Sequence, residues 1–253
     1  MISEPTAKER TIAALAYVPP VLLIGVVAAG NLTFLVPLAF LVFAVAAHWR
    51  EGRIVWPYAD ADTQLPTPTS YMVQAARSAE QFSFRPVVTV RNARAPLFKV
   101  RYEFWTSGDR EILLIAGAGT VAVMPVECSW LYSRLDDGTM IASMSDLKGM
   151  EYDLSGLVKS AVFPGASLEK LIDRHRDRLT ASGRKILRYS ERGAVSEHRD
   201  ALRRRVARLS DLGYAAPKDP AWERWSYTIP GALQVTARSY THGLIAAVKA
   251  MKW

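Results

Sequence analysis

Three patterns of apolar and polar positions follow one another along the chain. From Thr11 to Trp49 there is no Asp, Glu, Lys or Arg. From Phe84 to Ser145 apolar positions alternate with polar ones, with glycine-bearing interruptions. From Ser167 onward they recur every three or four residues. A bilayer core takes roughly 17–25 residues of apolar helix. The charge-free stretch is too long for one such span and fits two short ones. Gly30-Asn31 supplies the turn, which predicts a two-helix transmembrane hairpin over residues 12–29 and 32–48. Pro19-Pro20 and Pro37 fall inside the spans, where a neighbouring helix makes the lost backbone donors tolerable. A cleaved signal peptide, with Lys8 and Arg10 as its basic region and Val27-Ala28-Ala29 as its cleavage site, would leave the second apolar run still to be buried.

Orientation follows from the flanks. Lys8 and Arg10 precede the hairpin, Arg50 and Arg53 follow it, and the turn carries no charge. Basic flanks stay on the cytoplasmic side, so both ends of the chain are expected there, with the hairpin in a bacterial inner membrane. Trp49 and Trp56 suit the headgroup level. Residues 1–53 are thus read as tail and anchor, and residues 54–253 as one domain.

Within that domain Ile54-Val55-Trp56 opens a short strand, and Pro57, Pro66 and Pro68 break up a linker. A helix is expected from Ser70 to Gln81, capped by Ser70 or Thr69, with Met72, Ala75, Ala76 and Ala79 on its apolar side. Strands follow around Val88–Val90, Phe98–Phe104, Ile112–Ala116, Thr120–Val126, Trp130–Leu135 and Met140–Ser143. Ser107-Gly108-Asp109, Gly117-Ala118-Gly119 and Asp136-Asp137-Gly138 read as the turns between them, giving an antiparallel meander. Pro125 should mark a bulge or an edge. Lys148 to Pro164 looks irregular. Helices are expected over Ser167–Ala181, Ser196–Leu212 with a stop at Gly213, and Pro230–Met251. In the last, Leu233, Ala237, Tyr240, Leu244, Ala247, Val248 and Met251 align as one apolar face. The fold class is α+β, with the helices on one face of the sheet.

The formal charge is +8 and only one cysteine, Cys128, is present. Three basic and two acidic residues lie in the first fifty, so about +7 belongs to the domain. A basic domain beside a membrane faces anionic lipid or an acidic protein. Residues 199–208 concentrate the charge, with Arg199, Arg203, Arg204 and Arg208 opposite Leu202, Val206 and Leu209. Arg205 and His198 fall near the apolar stripe. No aromatic residues interleave with these arginines, which disfavours nucleic acid.

Candidate chemistry is sparse. Gly117-x-Gly119-x-x-Ala122 has the spacing of a dinucleotide-binding fingerprint, but Val121, Val123, Pro125 and Val126 oppose the helix that fingerprint needs. Asp137-Gly138-Thr139 resembles the end of the D-x-D-G-T motif of haloacid-dehalogenase-type phosphatases. The resemblance covers these few residues only, and Leu135 stands where that motif has its nucleophilic Asp. His175, between Leu171 and Leu179, is a half-buried polar site on an apolar stripe. No histidine has metal-ligand spacing with Cys128 or with another histidine, so neither metal nor cofactor is expected. The chain therefore reads as a non-catalytic binding or regulatory protein anchored in the membrane. The alternatives are a small-molecule sensor with a β-rich ligand-binding domain, or a membrane-bound enzyme with a site near His175.

Overall fold

The computed structural model describes residues 42–47, 49, 53–56, 58–59, 65–92, 98–121, 124–145, 153–220 and 223–238. Among them no helix is long and apolar enough to cross a membrane. The first expected span and most of the second lie outside the described residues; residues 42–47 are helical. The chain divides into two compact units, the larger lying within Ile54–Leu209 and including Glu223. The fold is α+β, with a meander-like antiparallel sheet and helices after it.

The larger unit is built on a sheet in the order β2 (Tyr58–Ala59), β3 (Arg85–Asn92), β4 (Phe98–Thr106), β5 (Leu113–Val121), β6 (Met124–Leu135), β7 (Met140–Met144) and β8 (Val158–Val162). Every neighbouring pair is antiparallel except β7 and β8, which run parallel with Met140 opposite Val158. β9 (Ile186–Leu187) pairs with Arg134 and Leu135 of β6, beyond the point where β5 has ended. Two expectations are corrected by these strands. The supposed linker contributes β2, and the supposedly irregular Lys148–Pro164 contains β8.

A third correction concerns Gly117-Ala118-Gly119. It is no turn: all three residues lie inside β5, with Gly117 opposite Cys128 and Gly119 opposite Val126. The glycines are there for space. A Cβ on Gly117 would stand 2.5 Å from the Tyr102 ring, and one on Gly119 only 2.0 Å from the Lys99 carbonyl oxygen. Pro125 sits in regular register opposite Thr120, five residues before the pairing of β6 with β7 begins at Trp130. Asp136-Asp137-Gly138 is the β6–β7 turn, with Gly138 at φ 80° and Asp137 accepting hydrogen bonds from the Thr139 backbone and hydroxyl.

Three helices complete this unit. α1 (Ser70–Gln81) is capped by Thr69, whose hydroxyl accepts from the Met72 N–H, and it buries Met72, Ala75 and Ala79. α2 (Leu168–Ser182) starts at the Ser167 cap and ends on Gly183 in the left-handed conformation. α3 (Ala194–Asp211) is followed by Gly213, also at positive φ. The helices do not share one face. Leu171, Ile172 and Leu179 of α2 and Ala79 of α1 pack with Trp105, Leu114, Leu131, Leu135 and Ile141. Tyr189 and Ala194 pack with Phe104, Leu113, Ile115 and Cys128 on the opposite face. Consecutive apolar residues such as Leu113-Leu114-Ile115 cause this, because side chains alternate across a strand and both faces then need cover. Trp56, expected among headgroups, lies against Tyr58 and Phe104 in the second cluster, with ring centroids 4.7 and 5.7 Å away.

The smaller unit holds a three-stranded sheet in the order β1 (Arg53–Ile54), β11 (Arg224–Tyr227), β10 (Ala215–Pro217). β1 spans residues 53 and 54, the point at which the larger unit begins. The Arg53 guanidinium lies over the rings of Trp225 and Tyr227, 5.7 and 4.9 Å from their centroids. Residues 229–238 are helical and bury Ala232, Val235 and Thr236. Leu233 and Ala237, of the expected apolar face, are exposed. The rest of the expected Pro230–Met251 helix lies outside the described residues.

Candidate functional site

His175 projects from the middle of α2 onto the sheet and is fully buried, as are Ser133 and Ser143. Its Nε2 is 3.0 Å from the Ser133 hydroxyl and its Nδ1 is 2.9 Å from the Ser143 hydroxyl. The protons in this group can be assigned. Ser133 donates its only hydroxyl proton to the Glu111 carbonyl at 2.7 Å, so it accepts from His175 Nε2–H. His175 Nδ1 is then bare and accepts from Ser143, which in turn accepts from the Arg178 guanidinium at 2.8 Å. Every member is satisfied in one direction only: Arg178 to Ser143 to His175 to Ser133 to Glu111. Burial, with the Arg178 charge adding to it, pushes the His175 pKa down to about 3, which fixes the neutral ring that this chain requires.

This arrangement contains a hydroxyl and an imidazole at catalytic distance, yet its chemistry is committed elsewhere. The Ser133 proton points at a backbone carbonyl, and Ser143 has no exposed surface from which to meet a substrate. Arg178 also donates to the Ala142 and Lys159 carbonyls, which ties α2 to β7 and β8. Beside this group, the Tyr71 hydroxyl of α1 is 2.7 Å from the Ser129 hydroxyl, and burial raises its pKa to about 12. A cleft of about 200 Å³ opens next to Tyr71, between Gln74 and Ser78 of α1 and Ser167 and Glu169 at the start of α2.

The arginine-rich helix is α3. Its four candidate residues differ in what they touch. Arg199 and Arg203 both pair with Glu223, Arg199 at 2.8 Å, and Arg203 also reaches Asp200 at 3.1 Å. Burial alone would raise the Glu223 carboxyl, but hydrogen bonds from Arg203 and Arg199 outweigh it and hold the pKa below the usual range. Arg204 and Arg208 are exposed. Arg205 is buried and donates to Asp153 at 2.9 Å. Asp153 also accepts from the Ser155 hydroxyl and the Val158 N–H, so one carboxylate joins α3 to the start of β8. Burial opposes ionisation of Asp153, and the Arg205 charge with these hydrogen bonds overcomes it, leaving a lowered pKa.

His198 lies buried on the same helix, 4.5 Å from the Tyr132 ring and 6.3 Å from Trp56. Burial first, then the nearby Arg134, pushes its pKa to about 3. Arg134 stacks over buried Tyr189 at 4.5 Å and pairs with Glu197. Cys128 is a buried thiol that donates to the Gly117 carbonyl at 3.6 Å. No cluster of three or more metal-ligating side chains occurs among the described residues. The serine partners of His175, the Asp153–Arg205 pair and Glu223 were not singled out in the sequence. The available signal was Ser129 and Ser133 falling on the same side of a strand as Leu131 and Leu135, where a buried hydroxyl requires a partner. No family model, curated protein or solved structure matches the chain.

Proposed function

We propose that the protein is a membrane-anchored, non-catalytic binding or regulatory protein at the cytoplasmic face of a bacterial inner membrane. The observation that carries this reading is the stretch Thr11–Trp49, free of charge throughout and flanked by basic residues on both sides. The commitment of His175, Ser133 and Ser143 to one closed hydrogen-bond chain supports binding over catalysis. The anionic partner is met through α3, chiefly by exposed Arg204 and Arg208.

The test is topology. Reporter fusions after Arg53 and at Trp253 should be active only with a cytoplasmic reporter, and the protein should resist alkaline carbonate extraction. A periplasmic signal from either fusion removes the hairpin. A second reading, a small-molecule sensor, draws on the cleft beside Tyr71. Its volume of about 200 Å³ lies below the roughly 300–1,000 Å³ of drug-sized sites, so only a small ligand would fit. Protection of Tyr71 and Ser167 from hydrogen exchange by a metabolite would favour it.

A further inference from the structure

The helical residues 229–238 present three faces. Ala232, Val235 and Thr236 are buried, and Gln234 and Arg238 are exposed and polar. Ile229, Leu233 and Ala237, spaced four apart, make a third face that is apolar and exposed, Ile229 at 52 % and Leu233 at 51 %. A single exposed leucine needs no explanation, but a row along one helix face that is not the packed face does.

Two observations say what covers it. The first is continuity. Tyr227 ends β11 two residues before Ile229, and β11 is hydrogen-bonded to β1, whose Arg53 stacks on Tyr227. Arg53 in turn lies four residues after Trp49, where the charge-free stretch ends. The apolar N-terminal segment and the apolar row therefore attach to adjacent strands of one small sheet. The second is charge. Continued at 100° per residue, the sequence would extend the row through Tyr240, Leu244 and Val248, with Lys252 beside it and Arg238 and Lys249 on the side away from it. An apolar row on one side of a helix whose polar side carries cations has the chemistry of a helix lying at a bilayer surface.

We propose that the face Ile229–Leu233–Ala237 is laid into the acyl boundary of an anionic bilayer, giving the protein a second membrane contact besides the hairpin. The proposal rests on the membrane-anchored reading, and the two are tested by different measurements. The full chain carries Cys128 buried, so a thiol-reactive, polarity-sensitive fluorophore can be placed on Leu233→Cys, with Gln234→Cys on the neighbouring polar face as control. Both proteins are reconstituted in vesicles of phosphatidylglycerol and phosphatidylcholine containing a spin-labelled lipid. The label on Leu233→Cys should be blue-shifted and quenched several-fold more than that on Gln234→Cys, and Ile229→Cys should behave like Leu233→Cys.

Equal and weak quenching at both faces overturns the proposal, and if carbonate extraction still leaves the protein in the membrane, the anchor stands without it. Strong quenching at Leu233→Cys in a protein that carbonate releases keeps the surface helix and removes the anchor. A blue shift that depends on protein concentration and ignores the lipid quencher overturns the proposal in favour of a second copy of the chain on this face.

Discussion

At the scale of single residues, the larger unit is specified by buried polar groups as much as by its apolar clusters. A buried group left without its partner costs about 1–3 kcal/mol. Ser143→Ala takes the donor from His175 Nδ1 and an acceptor from Arg178. Chemical denaturation should therefore show a loss of about 1–3 kcal/mol with an unchanged m-value. Asp153→Ala should cost more, about 3–5 kcal/mol, because it takes a carboxylate partner from the buried Arg205 charge. The histidines set a pH dependence. His175 and His198 are held near 3 in the folded protein, below the 6.5 of a free imidazole. The unfolded chain then takes up protons first as pH falls. Their contribution is fully present above about pH 6.5 and is lost steadily toward pH 3. Each contributes a slope of about 1.4 kcal/mol per pH unit in that window. Between about pH 5 and 6 the carboxylates stay ionised, so the histidines should dominate there. His175→Leu should leave about half the slope, and an unchanged slope would mean that His175 charges in the folded protein.

At the scale of elements, what the sequence shows best are the helices, since their stop and start signals are local. Thr69, Ser167, Gly183 and Gly213 do the capping or breaking that their residue types suggest. The strands were visible where a turn separates them, as at Ser107–Asp109 and Asp136–Gly138, and misread where glycine serves packing. Gly117 looks like a turn residue only until Tyr102 and Cys128 are placed beside it. Gly117→Ala should therefore be destabilising by about 1–3 kcal/mol through overpacking, whereas a true turn glycine at negative φ would tolerate alanine. The parallel strand β8 was hidden because its pairing is non-local: Val158–Val162 makes its ladder with β7 across an intervening segment, not with a hairpin neighbour. α3 was placed correctly, but the roles of its arginines depend on Asp153 and Glu223, which come from distant parts of the sequence. The resulting prediction separates them. Arg204→Gln with Arg208→Gln should weaken flotation with anionic vesicles and make what remains less sensitive to salt, while Arg199→Gln with Arg203→Gln should mainly lower stability. The opposite ranking would place the lipid-facing side of α3 at Glu223.

At the scale of the whole molecule, the smaller unit is assembled from segments that lie far apart in the sequence. Hydropathy ends the anchor near Arg53, yet Arg53 is already a strand residue paired to β11 and stacked on Trp225 and Tyr227. The smaller unit draws its sheet from both sides of the larger one in sequence, taking β1 from before it and β10 and β11 from after it. Such closure ties the exit of the charge-free stretch to the start of the helix at residue 229, and no sequence pattern announces it because β1 is two residues long. The consequence can be measured by comparing a chain that begins at Glu51 with one that begins at Ile54. The shorter chain lacks the Arg53 guanidinium, whose stacking is worth about 0.5–2 kcal/mol, and it loses half of β1. Hydrogen exchange should quicken at the amides of β10, β11 and residues 229–238 in the shorter chain, with β3 to β7 keeping their protection. Equal exchange in the two chains would show that Arg53 contributes nothing to this sheet. Faster exchange spread over β3 to β7 as well would show that the two units open together.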